Sequence, residues 1–173
     1  ITAKLFSPSG REVVTWSTNT DSNQVLSLLE TGAYRLVING NNNATGNYSF
    51  RLVDLETVST LAFNTPVTGR LDPGAEVDFY QFYGAVGQKF NFDLTATQWT
   101  NANWVLYSPN GAAIATPSST TPDFEITPEK AGTYVLAVRG SSITLIDYNF
   151  RATRSFVGGS TSTPGTSNSF VLI

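Results

Sequence analysis

The chain repeats itself, and the repeat is uneven. Thr31-Gly32-Ala33-Tyr34-Arg35-Leu36-Val37-Ile38-Asn39-Gly40 returns one hundred residues later as Ala131-Gly132-Thr133-Tyr134-Val135-Leu136-Ala137-Val138-Arg139-Gly140. Tyr48-Ser49-Phe50-Arg51 returns at the same offset as Tyr148-Asn149-Phe150-Arg151. Leu5-Phe6-Ser7-Pro8-Ser9-Gly10 returns, one residue out of step, as Leu106-Tyr107-Ser108-Pro109-Asn110-Gly111. Self-similarity at a fixed period constrains architecture before any single motif does. Residues 56–155 make one unit of about a hundred residues, a usual size for a β-sandwich domain. Residues 1–55 match only the back half of such a unit, and residues 156–173 follow as a linker ending in an apolar strand.

Within each copy the apolar residues recur with period two. Tyr34, Leu36 and Ile38 alternate with Arg35, Val37 and Asn39, and Phe90, Phe92 and Leu94 alternate with Asn91 and Asp93. That period, in aromatic and β-branched residues, predicts half-buried strands. The expected strands are 2–7, 12–16, 24–29, 33–39, 47–54, 66–71, 77–83, 88–96, 103–108, 112–116, 122–127, 133–139 and 146–153. Ser-Pro-Ser-Gly (7–10), Ser-Pro-Asn-Gly (108–111) and Asp-Pro-Gly (72–74) separate them, Pro presetting φ and Gly or Asn accepting φ > 0. No amphipathic helix longer than a turn or two is expected. The fold class is therefore all-β, an antiparallel, jelly-roll-like β-sandwich in one and a half tandem units. Gly-x-Tyr-x-Leu in each unit reads as a tyrosine corner, a structural role for Tyr34 and Tyr134.

Composition narrows function by exclusion. The 173 residues contain no cysteine and no histidine, which removes Ser-His-Asp and Cys-His nucleophilic systems and the usual zinc ligand sets. Charged residues are 13%, about half the usual share, and Ser, Thr, Asn and Gly supply the other polarity, a mix common in extracellular β-proteins. The ten basic residues are scattered at a net charge of −3, without the basic footprint that nucleic acid or an anionic membrane surface requires. No apolar run approaches the roughly 20 residues that span a bilayer. With no methionine and a start in mid-repeat, the chain is read as excised from a longer precursor.

Three groups carry candidate chemistry. Asp72, Glu76 and Asp78 are the best acidic cluster; they offer oxygen ligands for calcium or a carboxylate pair for glycoside hydrolysis, but the reading the residues favour is a turn followed by a strand edge, with Asp78 bonding nearby backbone. No cofactor is expected, and calcium is the one metal this cluster would admit. Asp21 with Asn19 and Asn23 forms a second polar loop, read as solvated. Trp99, in the polar stretch Thr97-Gln98-Trp99-Thr100-Asn101, is the candidate ligand-binding aromatic, because an exposed ring stacks on apolar ligand surfaces; Trp104 is expected in the core. Finally, Ser169-Phe170-Val171-Leu172-Ile173 follows a Gly/Ser/Thr linker. An apolar strand at a solvated end is an aggregation hazard, so Phe170, Val171, Leu172 and Ile173 are expected to pair with something and are the candidate assembly strand.

The stretch Gly69-Arg70-Leu71-Asp72-Pro73-Gly74-Ala75-Glu76-Val77-Asp78-Phe79-Tyr80-Gln81-Phe82, then Gly87-Gln88-Lys89, then Leu106 to Gly111, then Ala131-Gly132-Thr133-Tyr134, resembles the bacterial pre-peptidase C-terminal domain family. The resemblance covers 56–155, and its back half covers 1–55. It implies a jelly-roll-like sandwich on a secreted bacterial protein, non-catalytic, often in tandem beside peptidase or other extracellular domains. Related collagenase modules bind calcium and collagen, but their ligand arrangement has no match here. Two roles are expected from different classes. One is a structural or adhesive module at the cell surface that self-associates through donor-strand complementation, building filaments where the contacts do not close; a fragment whose remaining strands have been cut away accounts for the half repeat equally well. The other is an accessory domain that anchors a secreted hydrolase to a polymer, assists its secretion, or packs against neighbouring domains of the same precursor.

Overall fold

The computed structural model describes residues 1–17, 25–26, 28–48, 50–95, 101–117 and 122–156. Among them are twelve strands: β1 (Thr2–Phe6), β2 (Glu12–Ser17), β3 (Arg35–Asn39), β4 (Ser59–Thr60), β5 (Pro66–Leu71), β6 (Val77–Gly84), β7 (Gln88–Leu94), β8 (Ala102–Tyr107), β9 (Ala113–Ala115), β10 (Phe124–Ile126), β11 (Gly132–Gly140) and β12 (Ile146–Phe156). The only helical piece among these residues is a 3₁₀ turn at Asn41–Asn43, and no helix is long and apolar enough to cross a membrane. All pairings are antiparallel except the short β4–β6 contact.

The strands form three sheets, ordered β2-β1-β3, β4-β6-β11-β8-β9 and β10-β7-β12-β5. The second and third face one another and enclose one core. Phe82 from β6, Phe90 and Phe92 from β7, Trp104 and Leu106 from β8, Tyr134, Leu136 and Val138 from β11, and Phe150 from β12 are all buried in it. Their rings meet edge-on or offset: Trp104 lies 5.4 Å from Phe150 and 6.3 Å from Phe92, and Phe92 stacks on Phe124 at 4.6 Å. Each such burial contributes roughly 1.5–3 kcal/mol against the chain entropy. This is an all-β sandwich, as the alternation predicts.

The small sheet β2-β1-β3 reproduces β9-β8-β11 in detail. β1 sets Leu5 opposite Leu36 and Ala3 opposite Ile38; β8 sets Leu106 opposite Leu136 and Trp104 opposite Val138. The β1–β2 register slips between Leu5 and Phe6, and the β8–β9 register slips between the equivalent Leu106 and Tyr107. The turns also match, with Ser7 N–H bonding Arg11 O and Ser108 N–H bonding Ala112 O. In both copies a glycine with left-handed φ, Gly32 or Gly132, packs under a proline, where an added Cβ would come within 3.0 Å of Pro8 or 2.8 Å of Pro109. The tyrosine corner is present twice: the Tyr34 hydroxyl donates to Glu30 O at 3.0 Å and the Tyr134 hydroxyl to Lys130 O at 2.8 Å.

Two expected strands are not formed. The described residues of 24–29 and of 47–54 are irregular. By the hundred-residue offset they correspond to β10 and β12, which belong to the opposite layer and pair with β7 and β5. Residues 1–55 contain no counterpart of β5 or β7, and among the described residues no strand pairs with these segments; a strand does not persist alone. Sequence reasoning also missed β4, two residues long.

Replacing Tyr134 by Phe removes the corner hydrogen bond alone and is expected to cost about 1 kcal/mol, read as a fall in the urea midpoint at unchanged m-value. Several carboxyls lie below their ordinary range: Glu12 through bonds from Thr15 and Lys4, Glu30 through bonds from Ser9 and Ser7, and Asp147 through Arg70. A lowered folded value means that stability is present above the unfolded value and is lost as pH falls through the folded one. With no histidine in the chain, the melting temperature should be level from pH 8 to 6 and fall below about pH 4.

Candidate functional site

The acidic cluster does not converge. Glu76 forms an ion pair with Arg51 at 3.0 Å and accepts the Asp72 amide at 3.3 Å. Asp78 points the other way and accepts the Tyr148 hydroxyl at 2.6 Å, rather than the nearby backbone that the sequence suggested. The Tyr148 hydroxyl also lies 2.6 Å from that of Tyr80. Burial first, then the bond to Asp78, push Tyr148 well above the ordinary phenol range, so it remains a neutral donor. Beneath its ring is Gly69, where a Cβ would fall 2.1 Å from the ring carbon bearing the hydroxyl. This junction ties β5, β6 and β12 together and is structural. Among the described residues no three His, Cys, Asp or Glu side chains are grouped to hold a metal ion. Trp104 is fully buried, its indole N–H donating to Pro122 O at 2.7 Å. Trp99, the Asn19-Asp21-Asn23 loop and the assembly strand Phe170, Val171, Leu172 and Ile173 lie outside the described residues.

The feature that departs from an ordinary sandwich surface is the apolar set of residues 1–55. Tyr48, Phe50 and Leu52 are 61%, 65% and 91% exposed, while their counterparts Tyr148, Phe150 and Ala152 are 3%, 0% and 0% exposed. Leu28 and Leu29 are exposed as well. Leu5, Leu36 and Ile38 are only half-buried, although Leu106, Leu136 and Val138 are completely buried. One edge of β3 pairs with β1; its other edge, which in β11 is taken by β6, has no strand on it among the described residues. Exposed apolar side chains, and a strand edge without a neighbour, are usual marks of an interaction surface.

A second surface went unnoticed in the sequence and is already occupied. Val77, Val105, Tyr107, Val135 and Ala137 point away from the main core, yet they are buried, with Val25 and Leu55 packed near them. Arg51 holds this contact through Glu76 and the Val77 carbonyl. A Cβ at Gly111 would lie 3.0 Å from Val25 O. The signal was legible: Trp104-Val105-Leu106-Tyr107 and Tyr134 to Val138 are continuous apolar runs, as expected of strands buried on both faces. In the first copy the matching outward positions include Lys4 and Arg35, whose guanidinium sits 4.8 Å from the Phe6 ring centre.

The contrast between equivalent residues gives a paired measurement. Phe150→Ala should cost about 3–5 kcal/mol by opening a core cavity, whereas Phe50→Ala should stay within about 0.5 kcal/mol, both read from chemical unfolding.

No protein-family model matches the chain, and no curated protein does. Among solved structures it is similar to PliG of Aeromonas hydrophila, a periplasmic lysozyme inhibitor of g-type lysozyme, at 14% identity over 57% of this chain and 96% of that one, with a TM-score of 0.49. It is also similar to the pre-peptidase C-terminal domain of collagenase from Bacillus anthracis, at 19% identity over 62% of this chain and 100% of that one, with a TM-score of 0.45.

Proposed function

We propose that the protein is a non-catalytic β-sandwich module of a secreted, extracellular protein, and that it acts by β-strand complementation at residues 1–55. The observation that carries this reading is the fate of the repeated Tyr-x-Phe pair: buried as Tyr148 and Phe150 in the unit that has all its strands, exposed as Tyr48 and Phe50 in the one that does not. Added strands would supply the missing backbone partners and cover the exposed rings. The form of this open to the chain by itself is donation of Phe170–Ile173 from one copy to another, with head-to-tail contacts that extend into oligomers or filaments.

Light scattering across a concentration series tests it. The full chain should associate, and deletion of 168–173 should return it to monomer mass; an unchanged mass would remove the terminal run from the mechanism. The double substitution Phe50→Lys, Leu52→Lys should weaken association without moving the melting temperature, because both side chains are exposed.

The motif order of residues 56–155 favours a second reading, an accessory module that anchors a secreted peptidase or other hydrolase to a polymer. Retention on chitin, cellulose or collagen would support it, and passage through all three would count against it.

A further inference from the structure

The two copies are joined by a short stretch of chain that is fastened at nearly every step. Arg51 leads it: its Nη1 donates to the Glu76 carboxylate at 3.0 Å and its Nη2 to the Val77 carbonyl at 3.1 Å. The planar guanidinium fork meets two acceptors at once in a fixed geometry, which an ammonium does not. The Glu76 carboxylate also accepts the Asp72 amide, so the anchor belongs to the turn that opens β6. Three residues on, Asp54 closes a turn of its own. Its side chain accepts the Glu56 amide at 3.0 Å, and its carbonyl accepts the Thr57 amide at 3.1 Å and the Thr57 hydroxyl at 2.8 Å. The Gln81 side-chain amide then donates to Val58 O at 3.1 Å, Ser59 and Thr60 run parallel to Tyr80 and Gln81, and the Leu61 amide donates to Gln81 O at 2.8 Å. Within this stretch Leu55 packs on the outward face of β6, β11 and β8, and Val25, from an earlier part of the first copy, packs there too. Val25 sits against the β8–β9 turn, its carbonyl oxygen 3.0 Å from where a Cβ at Gly111 would stand.

We infer that Val25 and residues 51–61 clamp the two copies into one rigid body, with Arg51 as the positioning residue and the outward face of β6, β11 and β8 as the seat. The occupant of that seat is this chain's own first copy, in the same molecule, and the inference stands apart from strand complementation. The two attachments are set diagonally. Val77 lies opposite Arg139 of β11, whereas Tyr107, which leads into the β8–β9 turn, lies opposite Val135 further along the same strand. A single contact lets one body swivel about it; two contacts on different strands do not. An exposed ion pair is weak by itself, and the Arg51 and Glu76 side chains are 56% and 37% exposed. The apolar cover therefore supplies the adhesion, and the fork supplies the direction. The clamp also holds Phe50 and Leu52, the exposed neighbours of Arg51, in a fixed position relative to the complete sandwich.

The test is NMR relaxation of the backbone amides of the full chain in a dilute, monomeric sample. Amides of β1–β3 and of β5–β12 should report one rotational correlation time. The double substitution Val105→Lys, Val135→Arg gives the seat the residues that the first copy carries in the same places, Lys4 and Arg35. The β1–β3 amides should then tumble about twofold faster than the rest. Arg51→Ala, at a side chain more than half exposed, should open a smaller gap between the two times, and Arg51→Lys should not restore the single value. Trypsin supplies a second readout: cleavage after Arg51 should be about tenfold faster in Glu76→Ala than in the unaltered chain, because the segment is freed to open locally. Separate correlation times in the unaltered chain would overturn the inference. So would a single correlation time in both the double variant and Arg51→Ala.

Discussion

Every strand in a sheet must satisfy its backbone groups on both sides or face water with them. That requirement decides which parts of this chain are regular. In residues 56–155 β12 is held between β5 and β7, and β11 between β6 and β8. In residues 1–55 the layer that has its own neighbours, β2-β1-β3, forms with the register, bulge, turn and tyrosine corner of its counterpart. The layer whose neighbours are absent does not, although Tyr48, Phe50 and Leu52 keep the alternation of a strand. A strand-like side-chain pattern does not by itself make a strand here; it also needs pairing.

This explains what was legible in advance. The sandwich class, the tandem repeat and most strand limits follow from period two and from turn chemistry, because these are local. The errors at 24–29 and 47–54 are non-local: both segments carry the right residues, but among the described residues no strand pairs with them. Asp78 shows the same limit at one side chain. Its place after a turn suggested a local backbone bond, but its partner is Tyr148, 70 residues on. The exposed face of residues 1–55 was foreseeable from the half repeat; the buried outer face of β6, β8 and β11 was visible only as apolar runs longer than one-sided burial needs.

That outer face also sets how the two copies relate. Leu55 and Val25 pack near it, and Arg51 bonds Glu76 and the Val77 carbonyl. Val105 and Val135 in the second copy replace Lys4 and Arg35 in the first. The two copies have therefore diverged where one covers the other, and stayed alike where each must build its own corner and turn. Divergence follows surroundings, not position in the repeat.

The position of β12 has a kinetic consequence. It is the last strand of the unit, yet it lies in the middle of its sheet, joining β5 at Gly69–Tyr148 and β7 at Phe92–Ala152. Until it arrives, β5 has no strand neighbour and the floor of the core is open. Closing pairs so distant in sequence is slow. During synthesis from the amino end, the nascent unit therefore stays open and threadable until residue 150 has emerged, and then closes in one late step.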